Sequence, residues 1–153
     1  HYDGSSWTSA TALPSTRRAA RGSGTLTAGL CMGGYAPPGY FTNTEEYDGS
    51  SWSAGGALPT GMSDLGCCGP QTANFIFGFS PGKSVLSHNY DGTAWGTAPS
   101  LGTGRLSHGP SKAGSQTAAL AAGGDTPSAN RVATAEEFTG ETLALSAKTI
   151  DFD

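Results

Sequence analysis

The sequence predicts an all-β protein assembled from repeats, and two observations carry this prediction. A six-residue phrase, an aromatic residue followed by Asp-Gly, two small residues and Trp, occurs three times, at 2–7, 47–52 and 90–95. The three tryptophans lie 45 and 43 residues apart, and apolar stretches between them recur at a similar spacing. Periods of about 40 to 50 residues with four short strands each are typical of the blades of a β-propeller.

Each repeat begins with a segment of small residues, at 18–24, 62–69 and 106–114. Small side chains suit an innermost strand, because neighbouring strands crowd together near a propeller axis. A short apolar run follows in each repeat, which predicts a strand buried on both faces. These runs occupy 27–32, 72–77 and 117–122.

The third strand of each repeat leads into the repeated phrase, which predicts a tight hairpin. Asp-Gly supplies the positive φ that a reversing turn requires, and the aromatic residues flank it on the strand ends. We expect the recurrent tryptophans to pack between blades rather than to stack on sugars, since packing needs a ring at the same place in every blade. The residues of this framework are Trp7, Trp52, Trp95, Tyr47, Tyr90, Gly33, Gly78 and Gly123.

These elements predict one repeat domain over 1–153, with blades at about 16–54, 61–97 and 106–148. Residues 1–9 are predicted to form the outer strand of a preceding blade. Leu143 stands at the place of the repeated Trp, and the tail that begins there is predicted to form the outer strand that closes the last blade. Three blades cannot close a ring. We therefore expect upstream blades of a longer polypeptide, or other chains, to complete it.

After the glycines the repeats diverge in length and chemistry, at 35–43, 80–87 and 125–134. Variable loops on a repeated scaffold are where recognition is usually placed. The candidate ligand-binding residues are therefore Tyr35, Tyr40, Phe41, Lys83, Asp125 and Arg131.

The composition argues against several functional classes. Charged residues make up 13% of the chain, about half the usual share, and the net charge is −4, so no nucleic-acid partner is expected. No apolar run approaches the roughly 18 residues that would span a bilayer, so no membrane insertion is expected. The three cysteines, Cys31, Cys67 and Cys68, lack metal or disulfide spacing and are predicted to be free and buried.

No catalytic residue, metal site or cofactor is predicted. The histidines His1, His88 and His108 have no paired ligand spacing. The acidic pairs at 45–46 and 136–137 are adjacent in a strand, so the two members of a pair point to opposite faces and cannot act on one substrate. We expect them to lie at a solvated edge and beside a turn. For Arg17, Arg18 and Arg105 we expect hydrogen bonds to strand-end carbonyls.

The spacing of one repeat resembles that of the kelch repeat. A Gly-Gly pair ends an apolar strand, an aromatic residue follows 13 positions on (Gly34 to Tyr47), and Trp52 comes five positions later. Three tandem units cover nearly the whole chain, although Phe79 replaces the second glycine in the second unit. The resemblance implies a propeller of four-stranded blades. The near-identical phrases also resemble kelch-like proteins of marine and cyanobacterial phage tails and fibres.

This resemblance implies a non-enzymatic structural or adhesion protein of the virion, such as a tail fibre, tail or capsid-decoration component. Its expected partners are other virion proteins or copies of itself, and its variable loops are expected to bind a host surface glycan or protein. One alternative is a secreted or cell-surface lectin or scaffold propeller. A third hypothesis is a kelch-fold copper oxidase.

Overall fold

The computed structural model describes residues 1–110 and 114–140. These residues form thirteen strands and no helix, which confirms the predicted all-β class. None of the described segments is a helix with the length and hydropathy needed to span a membrane. The strands are arranged in three antiparallel sheets and one small hairpin.

The first sheet contains four strands that follow one another along the chain and in space. They are β1 (Arg21–Thr25), β2 (Ala28–Met32), β5 (Thr44–Tyr47) and β6 (Trp52–Ala54). The loop between β2 and β5 folds into a hairpin of its own, made of β3 (Tyr35–Ala36) and β4 (Gly39–Tyr40).

The second sheet repeats this order, and the third repeats its first three strands. The second comprises β7 (Gly66–Cys68), β8 (Asn74–Phe77), β9 (Ser87–Tyr90) and β10 (Trp95–Ala98). The third comprises β11 (Gly109–Pro110), β12 (Ala118–Ala122) and β13 (Ala135–Thr139). The outer strand that the sequence predicts in the tail lies outside the described residues.

The hairpins of the repeated phrase are held by the side chain of their aspartate. In each hairpin one carboxylate oxygen accepts hydrogen bonds of 2.7 or 2.8 Å from the backbone N–H groups two and three residues later. These backbone donors, with nearby hydroxyls, lower the pKa of Asp3, Asp48 and Asp91. The following glycines have φ of 98°, 101° and 95°, as a reversing turn requires. The conformation of each turn is therefore fixed by hydrogen bonds within the turn itself.

The first strand of each sheet begins three or four residues later than the sequence predicts. Ala19, Asp64 and Ser107, at equivalent places in the three repeats, have positive φ of 55°, 54° and 53°, and these residues interrupt the extended chain. They also link the sheets, because the N–H of Asp64 donates to the carbonyl of Ala19 (3.2 Å) and that of Ser107 to the carbonyl of Asp64 (3.0 Å). We call this chain of hydrogen bonds the backbone relay. Runs of small residues carry no signal for such a break.

Within the part of the chain that the structure describes, the hydrophobic core forms two clusters, each built from the facing sides of neighbouring sheets. The first cluster contains Leu30, Met32, Leu58, Met62, Leu65, Cys67, Ile76, Phe79 and Tyr90. The second contains Cys68, Phe75, Phe77, Ala119 and Ala121. Gly33, Gly78 and Gly123 end the second strands with φ of 58°, 55° and 68°. At Gly33 a Cβ would lie 2.3 Å from the carbonyl oxygen of Met62, so the close approach of the chains also requires glycine there.

The three tryptophans have different environments. Trp95 packs against the first core cluster, and its indole N–H donates to Thr44 Oγ1 (2.9 Å) and the Gly56 carbonyl (3.1 Å). Trp52 is half-buried and donates to the carbonyl of Thr11 (3.0 Å). Trp7 is 81% exposed, and within the described residues it does not pack between two sheets.

These environments predict different costs of truncation. Trp95→Ala should lower the free energy of unfolding by about 3 kcal/mol, because a large ring is removed from a sheet-to-sheet contact. Trp7→Ala should change it by less than about 0.5 kcal/mol, because the ring is exposed. Urea denaturation of dilute protein measures both values; equal destabilisation by the two changes would contradict this description of the sheet contacts.

Candidate functional site

The β3–β4 hairpin brings two of the predicted binding residues into contact. Tyr35 and Tyr40 are register partners in this hairpin, and their ring centroids lie 5.1 Å apart in an edge-to-face arrangement. The turn between them contains Pro37 and Pro38. Since a short hairpin fixes its cross-strand pairs, the two rings form one preorganised aromatic surface.

Arg18 completes this aromatic surface from the neighbouring strand segment. Its backbone exchanges two hydrogen bonds with Tyr35, of 2.9 and 2.8 Å. These bonds place the guanidinium over the Tyr35 ring, with Cζ 5.0 Å from the ring centroid. A guanidinium over an aromatic face makes a favourable cation–π contact. Within the described residues this group makes no hydrogen bond, so its N–H donors are available to a ligand.

The opposite side of the cleft is polar. Asp64 accepts hydrogen bonds from Ser63 Oγ (3.0 Å) and Arg21 Nη2 (3.3 Å), and the Tyr40 hydroxyl lies 3.2 Å from Ser80 Oγ. The cleft has a volume of about 420 Å³. Its lining residues are Arg18, Ala19, Tyr35, Tyr40, Ser63, Asp64 and Ser80, and we call this set the tyrosine cleft.

The other four predicted binding residues lie outside the tyrosine cleft. Phe41 lies below the Arg17 guanidinium, with 5.3 Å between Cζ and the ring centroid. Lys83 donates to the Thr126 carbonyl (2.7 Å) and to Asn130 Oδ1 (3.0 Å). Asp125 accepts a hydrogen bond from the backbone N–H of Arg131 (3.0 Å). The contacts of Lys83, Asp125 and Arg131 join and shape the loops of the second and third repeats.

The sequence analysis missed the polar half of the tyrosine cleft. Arg18 was expected to bond strand-end carbonyls, and Ser63, Asp64 and Ser80 were not singled out. A signal for them exists in the repeat spacing. Positions 18, 63 and 106 recur one repeat apart, and the first two of them pair with the loop positions 35 and 80 through backbone bridges. Each loop is thus anchored beside the residue that precedes a break in the inner strand.

Two buried or partly buried ion pairs occupy equivalent places in the first and third repeats. Arg17 pairs with Glu45 (3.3 Å), and Arg105 pairs with Glu136 (2.5 Å). Glu45 is buried, so its expected position at a solvated edge is wrong. Burial opposes ionisation of Glu136, but hydrogen bonds from Arg105 and from backbone N–H groups outweigh it and lower its pKa. Arg105 also bonds two strand-end carbonyls, as expected.

The second repeat carries Met62 and His88 at the places of that arginine and glutamate. His88 is buried, and within the described residues neither ring nitrogen makes a hydrogen bond of normal geometry. His108 is also buried; its Nε2 lies 3.1 Å from the Phe77 carbonyl and 3.3 Å from that of Gly78. Burial lowers the pKa of both imidazoles, which favours their neutral forms.

The histidines do not gather with other ligand side chains. Among residues 1–110 and 114–140, no group of three or more His, Cys, Asp or Glu side chains is placed to hold a metal ion. Cys68 is buried, and burial raises the pKa of its thiol to about 11. A protonated, buried thiol is a weak nucleophile.

A comparison with solved structures identifies a similar fold. The structure of YjhT, a β-propeller, matches 90% of this chain with a TM-score of 0.74 and 16% sequence identity. The matched part is 47% of YjhT, so the chain spans about half the length of that protein. No family model and no curated protein matches the sequence. The likeness concerns the fold alone.

Met62 and His88 replace the ion pair of the other repeats. We therefore expect substitutions at these two positions to have strongly coupled effects on the free energy of unfolding. Met62→Arg and His88→Glu should each destabilise the protein by about 3 kcal/mol, because each buries a charge without a partner. The double variant should regain at least about 1.5 kcal/mol of the summed loss, because it restores the pair of the other repeats. Denaturant unfolding of the four proteins measures this coupling; additive losses would contradict the equivalence of the three sites.

The buried histidines predict a loss of stability in mild acid. Their pKa values are lower in the folded protein than the value of about 6.5 in an unfolded chain. Below that pH the unfolded state binds protons that the folded state does not, so stability is highest above pH 6.5 and decreases as the pH decreases further. Melting temperatures between pH 7.5 and 5.5 should show this decline, and His88→Gln should make it shallower. A flat profile in this range would contradict the prediction.

Proposed function

We propose that this chain is a kelch-like propeller segment that acts as a non-enzymatic binding module. Each of its sheets corresponds to one blade, and the third would be completed by an outer strand. Support comes from three sheets with the same strand order, joined by the backbone relay, and from the fold likeness to part of a propeller. Sequence spacing that resembles the kelch repeat supports the same proposal.

The proposed binding site is the tyrosine cleft. The observation that carries this proposal is the preorganised pair of Tyr35 and Tyr40 beside the Arg18 guanidinium. Aromatic rings pack against the apolar face of a pyranose, while hydroxyl, carboxylate and guanidinium groups bond its hydroxyls. The cleft combines both kinds of group, with Asp64 and Ser80 opposite the rings. A polyhydroxylated ligand, such as a surface saccharide, fits this chemistry best.

The proposed setting is a phage particle, where the module would serve as a tail-fibre, tail or capsid-decoration component. This part of the proposal rests on the phrases that resemble phage kelch-like proteins. It implies virion proteins or further copies of the chain as neighbours, and a host surface glycan or protein as the ligand. A secreted or cell-surface lectin would use the same cleft; locating the protein in purified particles distinguishes the two settings.

Binding to a glycan array and to whole host cells tests the proposed site. We expect Tyr40→Ala and Arg18→Gln each to weaken binding at least tenfold, because each removes a contact with the ligand. Both variants should keep the melting temperature, since the Tyr40 ring and the Arg18 guanidinium face the open cleft. Tyr2→Ala removes a tyrosine that is 52% exposed outside the cleft and is the matched control. Binding that survives both cleft changes, or is lost in the control, would reject the tyrosine cleft.

A further inference from the structure

The cationic side chains of the described residues lie at one end of the sheets, which also holds the variable loops. They are Arg17, Arg18, Arg21, Lys83, Arg105 and Arg131. The carboxylates of residues 1–110 and 114–140 are spread over both ends, and Asp3, Asp48 and Asp91 lie in the turns of the opposite, hairpin end. The loop end therefore has a different charge balance from the chain as a whole, which is acidic with a net charge of −4.

Half of these cations are neutralised by a carboxylate of the neighbouring chain. The pairs are Arg17 with Glu45, Arg21 with Asp64 and Arg105 with Glu136. Arg18 is different, because no carboxylate within the described ranges forms an ion pair with its guanidinium. Its positive charge is therefore uncompensated by this part of the chain.

Arg18 also differs from the other unpaired cations in its position. It lines the tyrosine cleft, whereas Lys83 and Arg131 lie outside the cleft. The carboxylate that lines the cleft, Asp64, is 3.3 Å from Arg21 Nη2, so its negative charge is already offset. Within the described lining, the cleft thus presents one uncompensated charge, and that charge is positive.

The Arg18 guanidinium is also held in place. Two backbone hydrogen bonds join Arg18 to Tyr35, and the guanidinium lies over the Tyr35 ring at 5.0 Å. A planar guanidinium donates two parallel hydrogen bonds to a carboxylate, sulfate or phosphate, and such charge-assisted bonds are about twice as strong as neutral ones. A neutral hydroxyl would cover the same donors but would leave their charge unpaired and partly desolvated.

We propose that the ligand of the tyrosine cleft is an anionic saccharide, whose acidic group pairs with Arg18 while its sugar ring packs on Tyr40. The Tyr40 ring is 39% exposed and lies beside Tyr35 at 5.1 Å, so ring and guanidinium are within reach of one sugar unit. Asp64 and Ser80 remain available to its hydroxyls. This inference rests on the proposed binding function of the cleft and adds the charge of the ligand to it.

Binding of matched charged and neutral saccharides tests the proposal. The probes are oligogalacturonate and its methyl ester, sulfated and desulfated galactose oligomers, and mannose 6-phosphate and mannose. In at least one pair we expect the anionic member to bind tenfold or more tightly at about 20 mM salt, and this ratio to decrease towards one near about 500 mM, because salt screens exposed charges. The pair that responds identifies the acidic group. Equal or weaker binding of every anionic member, or no binding of any, would overturn the proposal.

Three variants show whether the preference originates at Arg18. Arg18→Gln should reduce binding of the anionic probe to the level of its neutral counterpart. Arg131→Gln removes the same charge from an exposed position outside the cleft and is the matched control, so it should keep the preference. Asp64→Asn should strengthen binding of the anionic probe about twofold to fivefold, because it removes a like charge beside the ligand. A preference that Arg18→Gln leaves intact, or that Arg131→Gln abolishes, would reject the assignment.

Tyr40→Ala separates the failure of this inference from that of the proposed function. If this change weakens binding of charged and neutral members equally and no preference for charge exists, the cleft remains the binding site and the anionic ligand is rejected. If binding survives Tyr40→Ala, both the cleft and the anionic ligand are rejected. Melting temperatures of all variants confirm that each protein is folded.

Discussion

The structure depends on the fixed register between neighbouring sheets. At the inner end this register is set by the backbone relay from Ala19 through Asp64 to Ser107, which uses no side chain. At the other end, Gln71 donates to the carbonyls of Gly29 and Tyr47, and Gln116 donates in the same way to the sheet before it. Buried backbone carbonyls need partners, so a sheet shifted by one residue would lose these bonds at both ends. The core between the sheets can consequently vary in composition.

Because the register between sheets does not depend on the core side chains, equivalent core positions in the three repeats can carry different chemistry. The first and third repeats place an arginine and a glutamate together, whereas the second has Met62 and His88 at these two positions. A buried ion pair contributes little net stability, because desolvation offsets most of the attraction, and an apolar or neutral pair of similar volume can replace it. The requirement is that both positions change together. A substitution at one position alone leaves an unpaired buried group, which is far more costly than either matched pair.

Much of the fold was predictable from the sequence. The second strands could be identified from the apolar runs before Gly33, Gly78 and Gly123, because burial acts locally there. The third strands could be identified because they lead into the repeated phrases at Tyr47 and Tyr90, where turn chemistry acts locally. The breaks at Ala19, Asp64 and Ser107 were not predictable, since none of these residues requires a positive φ.

The same distinction applies to the candidate site. Tyr35 and Tyr40 stand out because they lie in a loop that departs from the repeat. Their partners Arg18, Ser63 and Asp64 come from other segments, and only the register between sheets brings them together. The exposure of Trp7 was likewise hidden, because the six-residue phrases that end in Trp7 and Trp52 are identical, whereas only Trp52 is half-buried.

The tyrosine cleft and the Trp7 hairpin lie at opposite ends of the sheets. The strand β5 begins at Thr44, next to the loop that carries Tyr35 and Tyr40, and ends at Tyr47, next to its hairpin. The tyrosine cleft therefore opens where the inner strands break, whereas the Trp7 hairpin lies at the hairpin end. A ligand bound in the cleft would therefore contact no residue of that hairpin, and a substitution in the hairpin would leave the lining of the cleft unaltered.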